Sequence, residues 1–237
     1  MLRNQKRVKT FVEKANAAIR YYLGMLKTII VCISAGNRKI GRIWNVSILP
    51  IFSCGNCKRC AGICYDIKAN VQYGNVLNAR ARNYVLARYN MPEFFRQIGA
   101  FLSNYRGKNK FFRFHVCGEI LNYEYFARLV ETARNHPDWF FYTYTKMYGI
   151  VNSYIAANIH ETHPIPTNFV IMFSEWDGVE MDNPYNMPTF SCKLKGGNVN
   201  HPAEYFDTLY KCPGNCDVCK AARRGCFAGE NVYADEH

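Results

Sequence analysis

The sequence predicts an α/β protein built on a parallel sheet, and three observations carry that prediction. Extended apolar stretches at 43–49, 111–116, 139–146 and 168–174 alternate with stretches whose apolar residues recur at helical spacing. Strands separated by helices require crossover connections and therefore parallel pairing, in a sheet either open or curled into a partial barrel. Thiol or polar residues follow each strand, at the end where such sheets gather their chemistry. The length agrees, since 237 residues of which 49% are hydrophobic and 20% charged bury a substantial core.

In chain order, Val8, Phe11, Val12, Ala15, Ile19, Tyr22, Leu23 and Leu26 recur with helical period among Lys6, Arg7, Lys9, Lys14 and Arg20. They predict a basic amphipathic helix that caps the core or lies on a polyanion or membrane surface. Gly36-Asn37-Arg38-Lys39 interrupts it, the strand at 43–49 follows, and Pro50 ends that strand. Helices are expected over 76–89 and around Phe94, Phe95, Ile98, Phe101 and Leu102, then a basic loop at 104–110. Alternation along 111–116 puts Arg113 and His115 on one face of a strand that closes at Cys117-Gly118-Glu119. Asn122 then caps a helix that buries Phe126, Leu129, Val130 and Ala133 and stops at His136-Pro137. The strand over 139–146 ends at Thr145-Lys146, a mixed segment runs to Pro166, and the strand over 168–174 ends at Ser174-Glu175-Trp176-Asp177-Gly178. This divides the chain into a basic helical extension at 1–35, an α/β core at 36–190 and a cysteine-rich segment at 191–237.

Cys54, Cys57, Cys60 and Cys64 place four thiols within eleven residues, just beyond the first core strand. A short loop with this spacing can wrap an iron–sulfur cluster, and it also contains the Cys-x-x-Cys knuckle of zinc sites. A second constellation, Cys212, Cys216, Cys219 and Cys226 with His237, suits tetrahedral structural zinc and equally a second iron–sulfur cluster, with zinc the expectation. Cys32, Cys117 and Cys192 stand apart and read as small core residues. Eleven clustered cysteines and no signal-peptide pattern point to a reducing cytoplasm. The longest apolar run near the start, 29–33, is far too short for a membrane span. Of the +12 net charge, residues 1–120 hold 21 Lys and Arg against 4 Asp and Glu, and residues 121–237 hold 9 against 14. That asymmetry makes nucleic acid a candidate partner of the basic half, against the plainer reading of a solvated surface.

Asn45-Val46-Ser47-Ile48-Leu49-Pro50, Cys54, Cys60 and Cys64-Tyr65 with Lys68, the run Phe112 to Glu119, Phe141-Tyr142-Thr143-Tyr144-Thr145-Lys146 and the terminal cysteines resemble the bacteriophage gene product 88 family over most of 36–237. The chain departs from that family's Ser-Gly-Asp at Cys117-Gly118-Glu119, and Cys57 is an extra thiol. This resemblance implies a phage or prophage origin, hence the cytoplasm of an infected or lysogenic bacterial host, and names no reaction.

More remotely, the order of strand, cysteine loop, helices, strand ending in Gly-Glu, helix and two further strands is similar to the first half of a radical S-adenosylmethionine enzyme. That likeness implies a partial TIM-like barrel and a [4Fe-4S] cluster on Cys54, Cys60 and Cys64. It also implies S-adenosylmethionine bound near Gly118, Glu119, His115, Lys146 and Ser174. The cysteine spacing departs from the Cys-x3-Cys-x2-Cys usual in those enzymes. A non-catalytic zinc or iron–sulfur protein that binds nucleic acid is the alternative.

Overall fold

The computed structural model describes residues 2–55, 61 and 64–236. The chain forms two compact units, each assembled from separate stretches: 1–34, 46–107 and 115–132 in the first, and 35–45, 108–114 and 133–237 in the second.

The first unit is mainly helical. Helix α1 (Leu2–Gly24) buries Phe11, Ala15, Ala18 and Ile19, a narrower stripe than the sequence suggested, and leaves Leu23 exposed. After the two-residue strand β1 (Ile33–Ser34) come α2 (Tyr65–Gln72), α3 (Gly74–Tyr89) and α4 (Met91–Asn104). Helix α1 packs on α2 and α3, and α3 on α4. Phe52 bridges them, with its ring 6.2 Å from Phe11 and 6.0 Å from Tyr84. The apolar face of α4 supplies Phe94, Phe95, Ile98 and Leu102, and Phe95 meets Tyr125 at 5.0 Å. Tyr125 belongs to α5 (Tyr123–Asn135), whose last turn is part of the second unit. As the sequence predicts, Asn122 caps α5, its Oδ1 accepting the Tyr125 N–H at 2.8 Å.

The second unit carries most of the sheet: β2 (Trp44–Val46, its last residue in the first unit), β3 (Phe111–Phe114), β4 (Phe140–Thr145), β5 (Phe169–Ser174), β6 (Thr189–Lys193), β7 (Tyr210–Lys211) and β8 (Val232–Asp235). The hydrogen-bonded order is β1-β2-β3-β4-β5-β6-β8-β7, with β3 to β8 paired in parallel. The parallel α/β sheet expected from the sequence is present, and it is open, with β1 and β7 as edges. Because β4 and β5 are covered on both faces, their patterns are near-continuous burial and not alternation. On one face Phe112, Phe114, Phe141 and Phe169 interlock, Phe114 stacking on Phe141 at 5.7 Å, and α6 (Tyr148–Ala157) adds Tyr148 against Phe173 at 5.0 Å. The other face presents Arg113, Tyr144 and Met172 to the cysteine-rich segment, which includes α7 (Cys216–Ala222). Among the described residues no helix is long and apolar enough to cross a membrane.

Candidate metal-thiolate sites

The first cysteine stretch lies in the first unit, and its described ends are well anchored. Beyond β2, the chain turns at Ile51, which takes a left-handed φ of 65°. Ser53 is buried; its hydroxyl donates to the Leu49 carbonyl at 2.6 Å and accepts the Glu119 N–H at 3.1 Å. Cys54 follows, half-buried, and Cys64 stands at the N-cap position of α2. Neither is part of a disulfide, and Cys57 and Cys60 lie outside the described residues.

The Cys117-Gly118-Glu119 turn is bonded to the same stretch. The His115 N–H donates to Val46 O at 2.9 Å and the Ile48 N–H to Cys117 O at 3.2 Å. Gly118 has φ 88°, and a Cβ on it would fall 2.4 Å from Ile48 Cγ1 and 2.8 Å from the Ile48 carbonyl, so only glycine lets the two segments approach this closely. The Glu119 carboxylate accepts its neighbour Ile120's N–H at 2.9 Å.

Cys117 differs from its expected role. It is buried, but in polar company: its thiol bonds to the Asp66 carboxylate, which pairs with Arg80 at 2.6 Å and accepts from Asn70 at 3.1 Å. Burial pushes the Cys117 thiol well above the ordinary range, with Asp66 adding to the effect. Burial likewise holds the Asp66 carboxyl above its ordinary value, against the pull of Arg80. His115 departs from the strand pattern as well: β3 ends at Phe114, His115 takes φ 57°, and its Nε2 shares a hydrogen bond with Tyr125 Oη at 2.9 Å inside the core.

Of the residues expected at the cofactor, His115, Gly118 and Glu119 therefore fall in the first unit with Cys54 and Cys64. Lys146 and Ser174 belong to the second, where Lys146 Nζ donates to Ser174 Oγ at 3.2 Å. Beside them is a group the sequence reading missed. Glu175 takes the Ser191 hydroxyl at 2.6 Å and His201 Nε2 at 2.5 Å, and His201 stacks on Tyr205 at 3.7 Å. Glu175 follows Ser174 at the strand end, a signal that was legible. Its partners come from later segments with no periodicity to mark them.

The second cysteine group lies in the second unit. Cys212, Cys216, Cys219 and Cys226 line one pocket with Tyr144, Tyr210 and Val232. Cys212 follows β7, Cys216 and Cys219 lie on the first turns of α7, and Cys226 sits on a 3-10 turn at Gly225–Phe227. The N-terminus of α7 is fixed by Asn215, whose side chain accepts the Asp217 N–H, and by the Cys216 N–H donating to Lys39 O at 3.2 Å. Tyr144 Oη and Cys226 Sγ share a hydrogen bond at 2.8 Å, and the Arg113 guanidinium lies 4.5 Å from the Tyr144 ring centre. Burial pushes the Cys226 thiol up to about 12. Among the described residues no three of His, Cys, Asp or Glu are so grouped that they could hold a metal ion. His237 lies outside the described residues.

The family model for gene product 88 matches residues 33–189, about two thirds of the chain. The chain belongs to the gene product 88 family. The gene product 88 segment contains the whole 54–64 loop, the Cys117–Glu119 turn and β2 to β5. Helix α1 and the second cysteine group lie outside it. No curated protein and no solved structure matches the chain.

Proposed function

We propose that this gene product 88 protein is an iron–sulfur protein of the radical S-adenosylmethionine type, with Cys54, Cys60 and Cys64 holding a [4Fe-4S] cluster. The observation that supports it best is the Ser53 hydroxyl linking the entry of the cysteine loop to the Gly118-Glu119 turn. The residue that precedes Cys54 and the turn read as a cofactor contact are thereby hydrogen-bonded to each other. The described donors suit the group: Cys54 and Cys64 are partly accessible thiols outside any disulfide, at the two ends of the loop. When bound, such a cluster with an open iron supplies one electron to the sulfonium of the cofactor. The residues' own part is positional. Gly118 removes the side chain that would hold the two segments apart, and Ser53 fixes the Glu119 backbone. The sequential order from β1 to β6 supports the partial-barrel layout, because right-handed crossovers without a reversal of order keep successive helices on one face. A doubly wound sheet reverses.

Anaerobically reconstituted protein should contain iron and sulfide and, once reduced, give an electron-spin signal that changes when S-adenosylmethionine is added. Cys57→Ala should leave that response in place, and Cys54→Ala, Cys60→Ala or Cys64→Ala should each abolish it. Equal loss from all four substitutions would show a cluster closed by four thiolates and end the radical-enzyme reading.

A second reading, a zinc or iron–sulfur protein that binds nucleic acid without catalysis, draws its support from α1. Lys6, Lys9, Lys14 and Arg20 are exposed along it, whereas Arg80 on α3 is held by Asp66. Replacing those four by Gln should weaken binding to nucleic acid at low salt and flatten its salt dependence. Wild-type protein that shows no salt-sensitive binding would leave the charge a surface feature.

A further inference from the structure

The C-terminal end of α1 and the chain that leaves it lie in the first unit, outside the family segment, and nothing in the cysteine loop accounts for what they expose. Of the eleven large apolar side chains left exposed among the described residues, four fall within ten consecutive positions there: Tyr21, Leu23, Met25 and Ile30. Ile30, at 70% exposure, is held in that state by its neighbours. The Gln97 side chain donates to Ile29 O at 2.9 Å and accepts the Val31 N–H at 2.7 Å, and Ile29 and Val31 are both buried. Ile29 is extended, and extended chain with its flanking side chains turned inward presents the one between them to solvent. An apolar side chain so presented contributes nothing to the fold. The charge around it has one sign. Residues 1–30 hold seven Lys and Arg against Glu13 alone, and Lys6, Lys9, Arg20 and Lys27 are exposed.

We propose that this end of α1 docks the protein on an anionic lipid surface, with the cations at the headgroups and Tyr21, Met25 and Ile30 at the boundary with the acyl chains. The cations alone would serve a nucleic acid equally well. The apolar residues decide between the two, because Leu23, Met25 and Ile30 have neither a hydrogen-bonding group for phosphate or base nor an aromatic face for stacking. At a headgroup boundary the same side chains leave water, and a tyrosine keeps its ring apolar and its hydroxyl wet. Charge and apolar burial together supply the two signals that a lasting attachment to a bilayer needs. The attachment is peripheral: no helix among the described residues is long and apolar enough to cross a membrane, and the buried face of α1 stays packed on α2 and α3.

The test is sedimentation of the full chain with lipid vesicles, and it is independent of what either cysteine group holds. Wild-type protein should sediment with phosphatidylcholine vesicles that contain about a third phosphatidylglycerol, stay in solution with phosphatidylcholine alone, and bind more weakly as salt is raised. Met25→Ser/Ile30→Ser should lower the partition constant about tenfold. Its thermal midpoint should match wild type, since both side chains are exposed. Wild-type protein that binds a single-stranded oligonucleotide but not the anionic vesicles would overturn the proposal, as would no binding to either. A double variant that sediments as well as wild type would also overturn it, because charge alone would then hold the protein. So would a dimer in vesicle-free solution that the same double variant dissociates.

Discussion

At the scale of single residues, Asp66 ties the first unit together most tightly, since one buried carboxylate meets Arg80, Asn70 and Cys117. Replacing it with Asn should cost about 1 kcal/mol near neutral pH, because the amide has one acceptor oxygen where the carboxyl had two and leaves a hydrogen bond to Arg80 or Cys117 unmade. The pH dependence has a definite sign. Burial raises the Asp66 carboxyl above its ordinary value, so the folded state holds that proton more firmly than the unfolded chain. Its contribution is therefore full below the ordinary carboxylate range and is lost as pH rises through the raised value. The advantage of wild type over Asp66→Asn should widen as pH is lowered through that window, in urea unfolding at a series of pH values. A narrowing would mean that Arg80, and not burial, governs the carboxyl. None of this was legible in the sequence: Cys117 looked like a small core residue because its partner lies far back along the chain. His115 was misplaced for a different reason, since strand alternation says nothing about where a strand stops.

At the scale of elements, the helices with one clean apolar face were legible and the others were not. The pattern marked α4 and α5 because Phe94, Phe95, Ile98 and Leu102, or Phe126, Leu129 and Val130, recur on one side of a polar helix. Helix α6 is apolar nearly all round and left no stripe to read; β6 and β8 are short and end in Lys193 and Asp235, so they resemble loop. The cap of α5 was read correctly, and it supplies a measurable check. Asn122→Ala removes the acceptor for the Tyr125 N–H and should lower stability by about 1 kcal/mol, seen as an earlier midpoint in urea with an unchanged slope. A loss near zero would mean that burial of Tyr125 alone sets the start of the helix.

At the scale of the whole molecule, the cysteine-rich segment is part of the sheet. Strands β6, β8 and β7 follow β5 in hydrogen-bonded order, and Met172, Tyr144 and Val170 are packed by Cys226, Val232 and Tyr210. A chain ended at residue 190 should therefore leave an apolar sheet face and the open edge of β5 in water, and be recovered mainly as aggregate. A soluble product with a cooperative melt would show instead that the earlier strands suffice. The reason the segment looked separable is that its cysteines are closely spaced, while the few residues that pair with the sheet are scattered and carry no period.

The path from β7 to β8 gives these thiols a second meaning. The two strands run parallel as neighbours, so the chain between them must travel back the length of the sheet, and the stretch that does so, 212–231, contains all four cysteines. Anything held by those cysteines is a clasp on the crossover that delivers the edge strand. β7 itself is two residues long and too short to stay paired on its own account. With the clasp closed, the sheet ends in a strand that cannot drift away; with the clasp opened, β7 is the first to peel off, and β8 becomes an unguarded edge along which another chain can add.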